Sequence, residues 1–148
     1  MISAEIDNAA FNAKMKGLLS RISGRDLRRI YKKVGIVAAQ SMYGNFVYEG
    51  IKPNKWKENA QSTKNKKPAG RGVLDDTGAL KMGISSEVRS DGVYVGADKE
   101  YGKFHLPPEK SGHPSKGIMP VRDWLGFDED GLSGIENAVV EEIEDSLN

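Results

Sequence analysis

A chain of 148 residues with a formal net charge of +1 and 38% hydrophobic residues fits one domain with one core, and leaves part of its length for loops or arms. The absence of cysteine excludes a disulfide framework and thiolate metal sites. No apolar run approaches the roughly 18 residues of a membrane span, and Met1-Ile2-Ser3-Ala4-Glu5 is not a basic segment leading into an apolar one, so neither a spanning helix nor a secretory signal is expected.

The near-neutral total hides an asymmetry. Residues 1–72 carry fifteen Lys and Arg against five Asp and Glu, a net of +10, whereas residues 73–148 carry seven against sixteen, a net of −9. Such halves suit self-association, or a partner of opposite charge at each end, unless the folded chain interleaves the two signs.

In chain order, Asp7 is a helix-capping residue ahead of Phe11, Met15, Leu18 and Ile22, whose spacing forms one helical face ending near Ser23-Gly24. A second helix is expected from about Arg25 to about Glu49. Leu27, Ile30, Tyr31, Val34, Val37, Ala38, Met42 and Phe46 keep its period, while Arg25, Arg28, Arg29, Lys32 and Lys33 crowd its first half against the positive end of the helix dipole. An acidic surface facing them would explain those cations, as would plain solvation. Residues 50–72 then change character, with seven Lys and Arg, one Glu, two Pro and three Gly. This reads as a flexible basic arm that cannot build a core. Trp56, between Lys55 and Lys57, is expected to hold the arm against its own or a neighbouring subunit.

Residues 74–105 carry the clearest local signals. Asp76-Thr77-Gly78-Ala79-Leu80 offers a cap and a short helical turn, Ile84, Ser86 and Val88 alternate with Ser85, Glu87 and Arg89, and Asp91-Gly92 turns the chain back into Val93 to Val95. A short aromatic turn, Tyr101-Gly102-Lys103-Phe104-His105, follows, with its aromatics expected to pack. Residues 106–117 read as an exposed loop. Residues 118–127 read as an apolar strand or extended segment interrupted by Arg122-Asp123. Asp128 or Ser133 then starts a final helix with Leu132, Ile135, Val139, Ile143 and Leu147 on one face, most simply packed on the sheet.

Catalysis is not expected. His105 and His113 have no compact metal-ligand spacing, Asp75-Asp76 and Asp128-Glu129-Asp130 lack the alternation of a calcium loop, and Gly70-Arg71-Gly72 lacks the ending of a phosphate loop. No cofactor or metal is implied. The basic first half keeps nucleic-acid binding as the alternative function, although one aromatic is too few for a stacking platform.

Taken together, Leu74-x-x-Thr77-Gly78-x-Leu80, Val93-Tyr94-Val95-Gly96 with Tyr101 and His105 after it, and Pro120-Val121-Arg122-Asp123-Trp124-Leu125-Gly126 form an ordered set. It resembles the virion morphogenesis, or tail-completion, proteins of tailed bacteriophages and Mu-like prophages over residues 56–148. Gly83, Gly102, Leu106 and Trp124 stand where that family usually has Ser, Ala, Gln and Phe. The resemblance implies an α+β fold, a small antiparallel sheet packed against a long helix with N-terminal helices, a C-terminal amphipathic helix and long loops. Within one domain, residues 1–49 form the basic helices, 50–72 the arm and 73–148 the hairpin, loop and acidic helix. It also implies a structural virion protein that completes the tail or joins it to the head at the neck. Its partners would be copies of itself in a ring, six-fold like the tail, and other neck, connector or tail-terminator proteins, with no membrane. Partner contact is expected of Lys52, Lys55, Trp56, Lys57, Lys64, Lys66, Lys67, Arg71 and His113. Thr77, Gly78, Leu80, Gly92, Gly96, Tyr101, His105, Pro120, Arg122, Trp124 and Gly126 are expected to shape the scaffold.

Overall fold

A computed structural model describes residues 5–6, 8–66, 72–74, 78–111 and 120–147. Its centre is helix α2 (Gly24–Tyr48), about 37 Å long at 1.5 Å per residue. The Ser23 side chain accepts a hydrogen bond from the Asp26 amide at its start, and the acid of Asp26 suits the positive end of the dipole. Glu49 closes the helix in the left-handed conformation (φ 66°, ψ 47°), unusual for a residue with a Cβ. Three bonds hold it there. Its amide donates to the Asn45 carbonyl, its carbonyl accepts from the Trp56 amide at 2.7 Å, and its carboxylate accepts from the Val73 amide at 3.3 Å.

Helix α1 (Ala9–Leu19) precedes α2. Its cap is Asn8, whose side-chain oxygen accepts from the Phe11 amide, while Asp7, the expected cap, lies outside the described residues. The helix also ends at Leu19, short of Ser23-Gly24, because Ser23 is already the cap of α2. After α2 come the paired strands β1 (Gly50–Ile51) and β2 (Asn54–Lys55), then a short helix α3 (Gln61–Lys66) and a single turn α4 (Ala79–Met82). Gly78 caps α4 at φ 79° with no side-chain bond, so the expected side-chain cap is replaced by a backbone conformation that glycine adopts freely. Asp76 and Thr77 fall outside the described residues.

Strands β3 (Ile84–Arg89) and β4 (Gly92–Ala97) form the antiparallel hairpin. The register pairs Arg89 with Gly92 and Val88 with Val93, so the turn is Ser90-Asp91, one residue before the expected Asp91-Gly92. Register explains the shift. It places Ile84, Ser86 and Val88 on the same side as Val93, Val95 and Ala97, and a slip of one residue would turn one of these sets away from α2. A 3-10 turn (Glu100–His105), a short helix α5 (Pro108–Ser111) and a long helix α6 (Glu129–Leu147) complete the chain. Asp128 caps α6, its carboxylate accepting from the Gly131 amide at 2.7 Å.

The architecture is α+β, as expected. Helix α2 carries the hairpin on one flank and α6 on another, so α6 packs on α2 and not on the sheet. Ile30, Val34 and Ala38 meet Ile135, Ala138 and Val139 towards one end of α2, with Phe11, Met15 and Leu18 of α1 against them. Towards the other end, Met42 and Phe46 meet Trp56, Leu80, Leu106, Trp124 and Leu125. Leu106 is therefore core, not exposed loop, and residues 112–117 lie outside the described residues.

The hairpin can approach α2 closely because of Gly35. A Cβ there would lie 2.9 Å from the Ser86 Cβ and 3.1 Å from the Val93 Cγ2. At Gly44, on the same helix, nothing stands within 4 Å. Gly44→Ala should therefore stabilise the fold by about 0.5–1 kcal/mol through helix propensity. Gly35→Ala should instead destabilise it by about 1–3 kcal/mol through overpacking, both read from urea melts.

Candidate functional site

The chemistry-bearing residues converge on residues 120–127. This segment is irregular and joins no sheet among the described residues, so its buried peptide groups need partners outside a strand ladder. Asn45, 2% exposed on α2, donates through Nδ2 to the carbonyls of Trp124 and Gly126, each at 3.0 Å. The Trp56 indole donates to the Asp123 carbonyl at 2.8 Å, and the Trp124 indole to the Gly102 carbonyl at 2.9 Å. Lys110 reaches the Asp123 carboxylate at 2.7 Å and also donates to the Leu125 carbonyl.

Arg122 works in the opposite direction. It is buried, its amide donates to the His105 carbonyl at 2.7 Å, and its guanidinium donates to the carbonyls of Lys57 (2.9 Å) and Glu58 (3.1 Å). The stretches at residues 57–58, 105 and 122 therefore meet at one residue. Burial lowers its pKa from the usual arginine value. His105 is half-buried beside it, and its Nδ1 has no hydrogen-bond partner among the described residues. Burial, and secondarily the charge of Arg122, hold its pKa below the ordinary 6.5.

The basic arm is two structures in one. Its first part is built into the body, since Trp56 is buried against Phe46, with ring centroids 5.4 Å apart edge to face. The expectation of a loose arm fails here because the indole has both an apolar pocket and a carbonyl to bind. Trp56 is thus fixed on its own subunit and is not available to a neighbour. Lys52 and Lys55 stand over the Tyr48 ring at 5.5 and 4.7 Å from its centroid. Beyond Trp56, Lys57 is exposed, and every residue of α3 is exposed, Lys64 pairing with Glu58 at 3.0 Å and Lys66 pointing to solvent. Lys67, Arg71 and His113 lie outside the described residues.

Among the expected scaffold residues, Leu80 and Gly96 are buried, Gly78 and Gly92 begin α4 and β4, and Pro120 and Gly126 are half-buried. Thr77 lies outside the described residues. Trp124 is 0% exposed. The aromatic turn is a correction: Tyr101 and Phe104 do not pack but stand 45% and 58% exposed, with Val121 beside the same turn at 47%. The 3-10 geometry keeps residues three apart on one side, and the inward side is already taken by Gly102 against Leu80 and Trp124.

The two charge signs are partly interleaved by the fold. Lys14 of α1 pairs with Glu136 of α6, and Arg29 of α2 with Glu142 of α6 at 3.3 Å. Among the described residues, no group of three or more His, Asp or Glu is placed to hold a metal ion, and no helix is long and apolar enough to cross a membrane.

Against known families, residues 6–144 match the model of the phage virion morphogenesis family. No curated protein and no solved structure matches the chain.

Two outcomes follow from the geometry. Asn45→Ala strands two buried carbonyls and should lower stability by about 2–4 kcal/mol in denaturant melts. For His105, the folded pKa lies below the unfolded one, so the unfolded chain takes up the proton first as pH falls. The stability that comes from keeping it neutral is present above pH 6.5 and is lost as the pH falls from there through the lower folded pKa. Melts from pH 7.5 to 5.5 should show a decline that His105→Gln flattens.

Proposed function

The chain belongs to the phage virion morphogenesis family, and from that membership we propose that it completes the tail, or joins it to the head, at the neck of a tailed bacteriophage. A structural or assembly role in the phage virion is what the family gives. The finer position, and the role of ring subunit beside connector or tail-terminator proteins, are the proposed part. The observation that carries the reading is the match over residues 6–144.

The arm supports an assembly role in particular. Helix α3 has six residues, none buried, and an isolated helix of that length has no stability of its own in water. Its place is against a neighbouring surface, where ordering and contact are gained together. The nucleic-acid reading has less support, because Lys14 and Arg29 of the basic half are already bound to acids of α6.

Deleting residues 60–70 should leave the domain folded, since Gln61–Lys66 contributes nothing buried. In a phage carrying that deletion, micrographs of lysates should show heads and tails accumulating unjoined. Normal infectious particles from the mutant would overturn the proposal.

A further inference from the structure

Beside β4 runs a groove of about 1580 Å³. Its floor is α2, at Ala38 and Met42, and its apolar walls include Val93 and Val95 of β4 together with Phe127 and Leu132. This exceeds the roughly 300–1,000 Å³ of a small-molecule site and suits a macromolecular occupant. The lining includes residues 91–95 and none of β3, so the groove follows the side of β4 away from its partner strand. The acids Glu5, Asp91, Asp128, Glu129 and Asp130 outnumber the lysines Lys16, Lys52 and Lys110 in the lining; Asp91 accepts from the Tyr94 hydroxyl, Asp128 caps α6 and Lys110 is bonded to Asp123.

A second patch has the complementary character. Arg122 gathers residues 57–58, 105 and 122 into one place, which sets the exposed Tyr101, Phe104 and Val121 beside the root of the basic arm. Lys103 lies over the Phe104 ring at 5.5 Å, Lys99 is exposed earlier in the same stretch and Lys57 at the root of the arm, with the exposed acids Asp98 and Glu58 among them. The patch is aromatic with a basic border. None of these residues lines the groove, and β4, about 20 Å long at 3.3 Å per residue, leads from the groove towards the aromatic turn.

We propose that the aromatic patch of one copy, built on Tyr101, Phe104 and Val121, seats in the acid-rimmed groove of a second copy. The inference rests on the reading of this chain as a self-assembling subunit and names the surfaces that meet. Because two different patches are joined, the contact is head-to-tail, and repetition closes a ring when the rotation allows it.

Sedimentation velocity on the full chain tests this with two variants. Tyr101→Ala with Phe104→Ala empties the patch at exposed positions, and Glu129→Lys with Asp130→Lys reverses the groove's rim. Circular dichroism and melting points confirm that each is folded, and either folded variant alone carries the test if the other is not. Each should self-associate at least about tenfold more weakly than the natural chain. Mixed one to one, they should form dimers and nothing larger, since each supplies the surface that the other lacks. Oligomers unchanged in a folded variant, or no dimer on mixing, place the contact elsewhere, such as on the outward Ile36, Tyr43 and Val47 of α2, and overturn the inference while the ring reading stands. A natural chain that stays monomeric at every concentration overturns both.

Discussion

Residues 120–127, with Arg122, Trp124 and Leu125 buried, have no neighbouring strand among the described residues, and this places a demand on everything around them. A buried peptide group left unpaired costs about 1–3 kcal/mol, more than a satisfied bond returns. The demand is met by side chains drawn from across the chain: Asn45 from α2, Trp56 from the start of the arm, and Lys110 from α5. Each of these residues is fixed by the bond it supplies. The positions of Trp56 and of the arm's first part follow from this one irregular stretch.

The residue types along this stretch also fit one another in volume. Gly102 and Trp124 are the clearest case. A Cβ at residue 102 would lie 3.0 Å from the Trp124 ring, so the larger ring is accommodated by the smaller neighbour. The indole then gains a bond to the Gly102 carbonyl that a phenyl ring cannot make.

Much of the fold was legible because helices and hairpins announce themselves through local period. The bounds of α2, the cap at Asp128 and the pairing of β3 with β4 depend on residues close in sequence. What the sequence concealed was decided over long separations. Asn45 reads as a weak helix former in the last turn of an amphipathic helix, and only carbonyls about eighty residues away explain it. A buried polar residue on the inward face of a helix was the available signal. Trp56 was read from the composition around it, whereas its burial is set by Phe46 and Asp123. The aromatic turn erred in the other direction, because period cannot say that Gly102, and not its aromatic neighbours, would face inward. The charge halves were visible as counts, but their partial pairing through Lys14 and Arg29 appears only once α6 returns to lie along α2.

Arg122 holds the arm entirely through main-chain carbonyls, those of Lys57 and Glu58. A grip on the backbone is indifferent to the side chains it grips. Substitutions at residues 57 and 58, and throughout the exposed α3 beyond them, can therefore change what the arm offers to its surroundings while its point of departure from the body stays where it is. The chain separates a position under strict physical constraint from a stretch under almost none. That arrangement lets the exposed stretch change in composition at little risk to the domain that carries it.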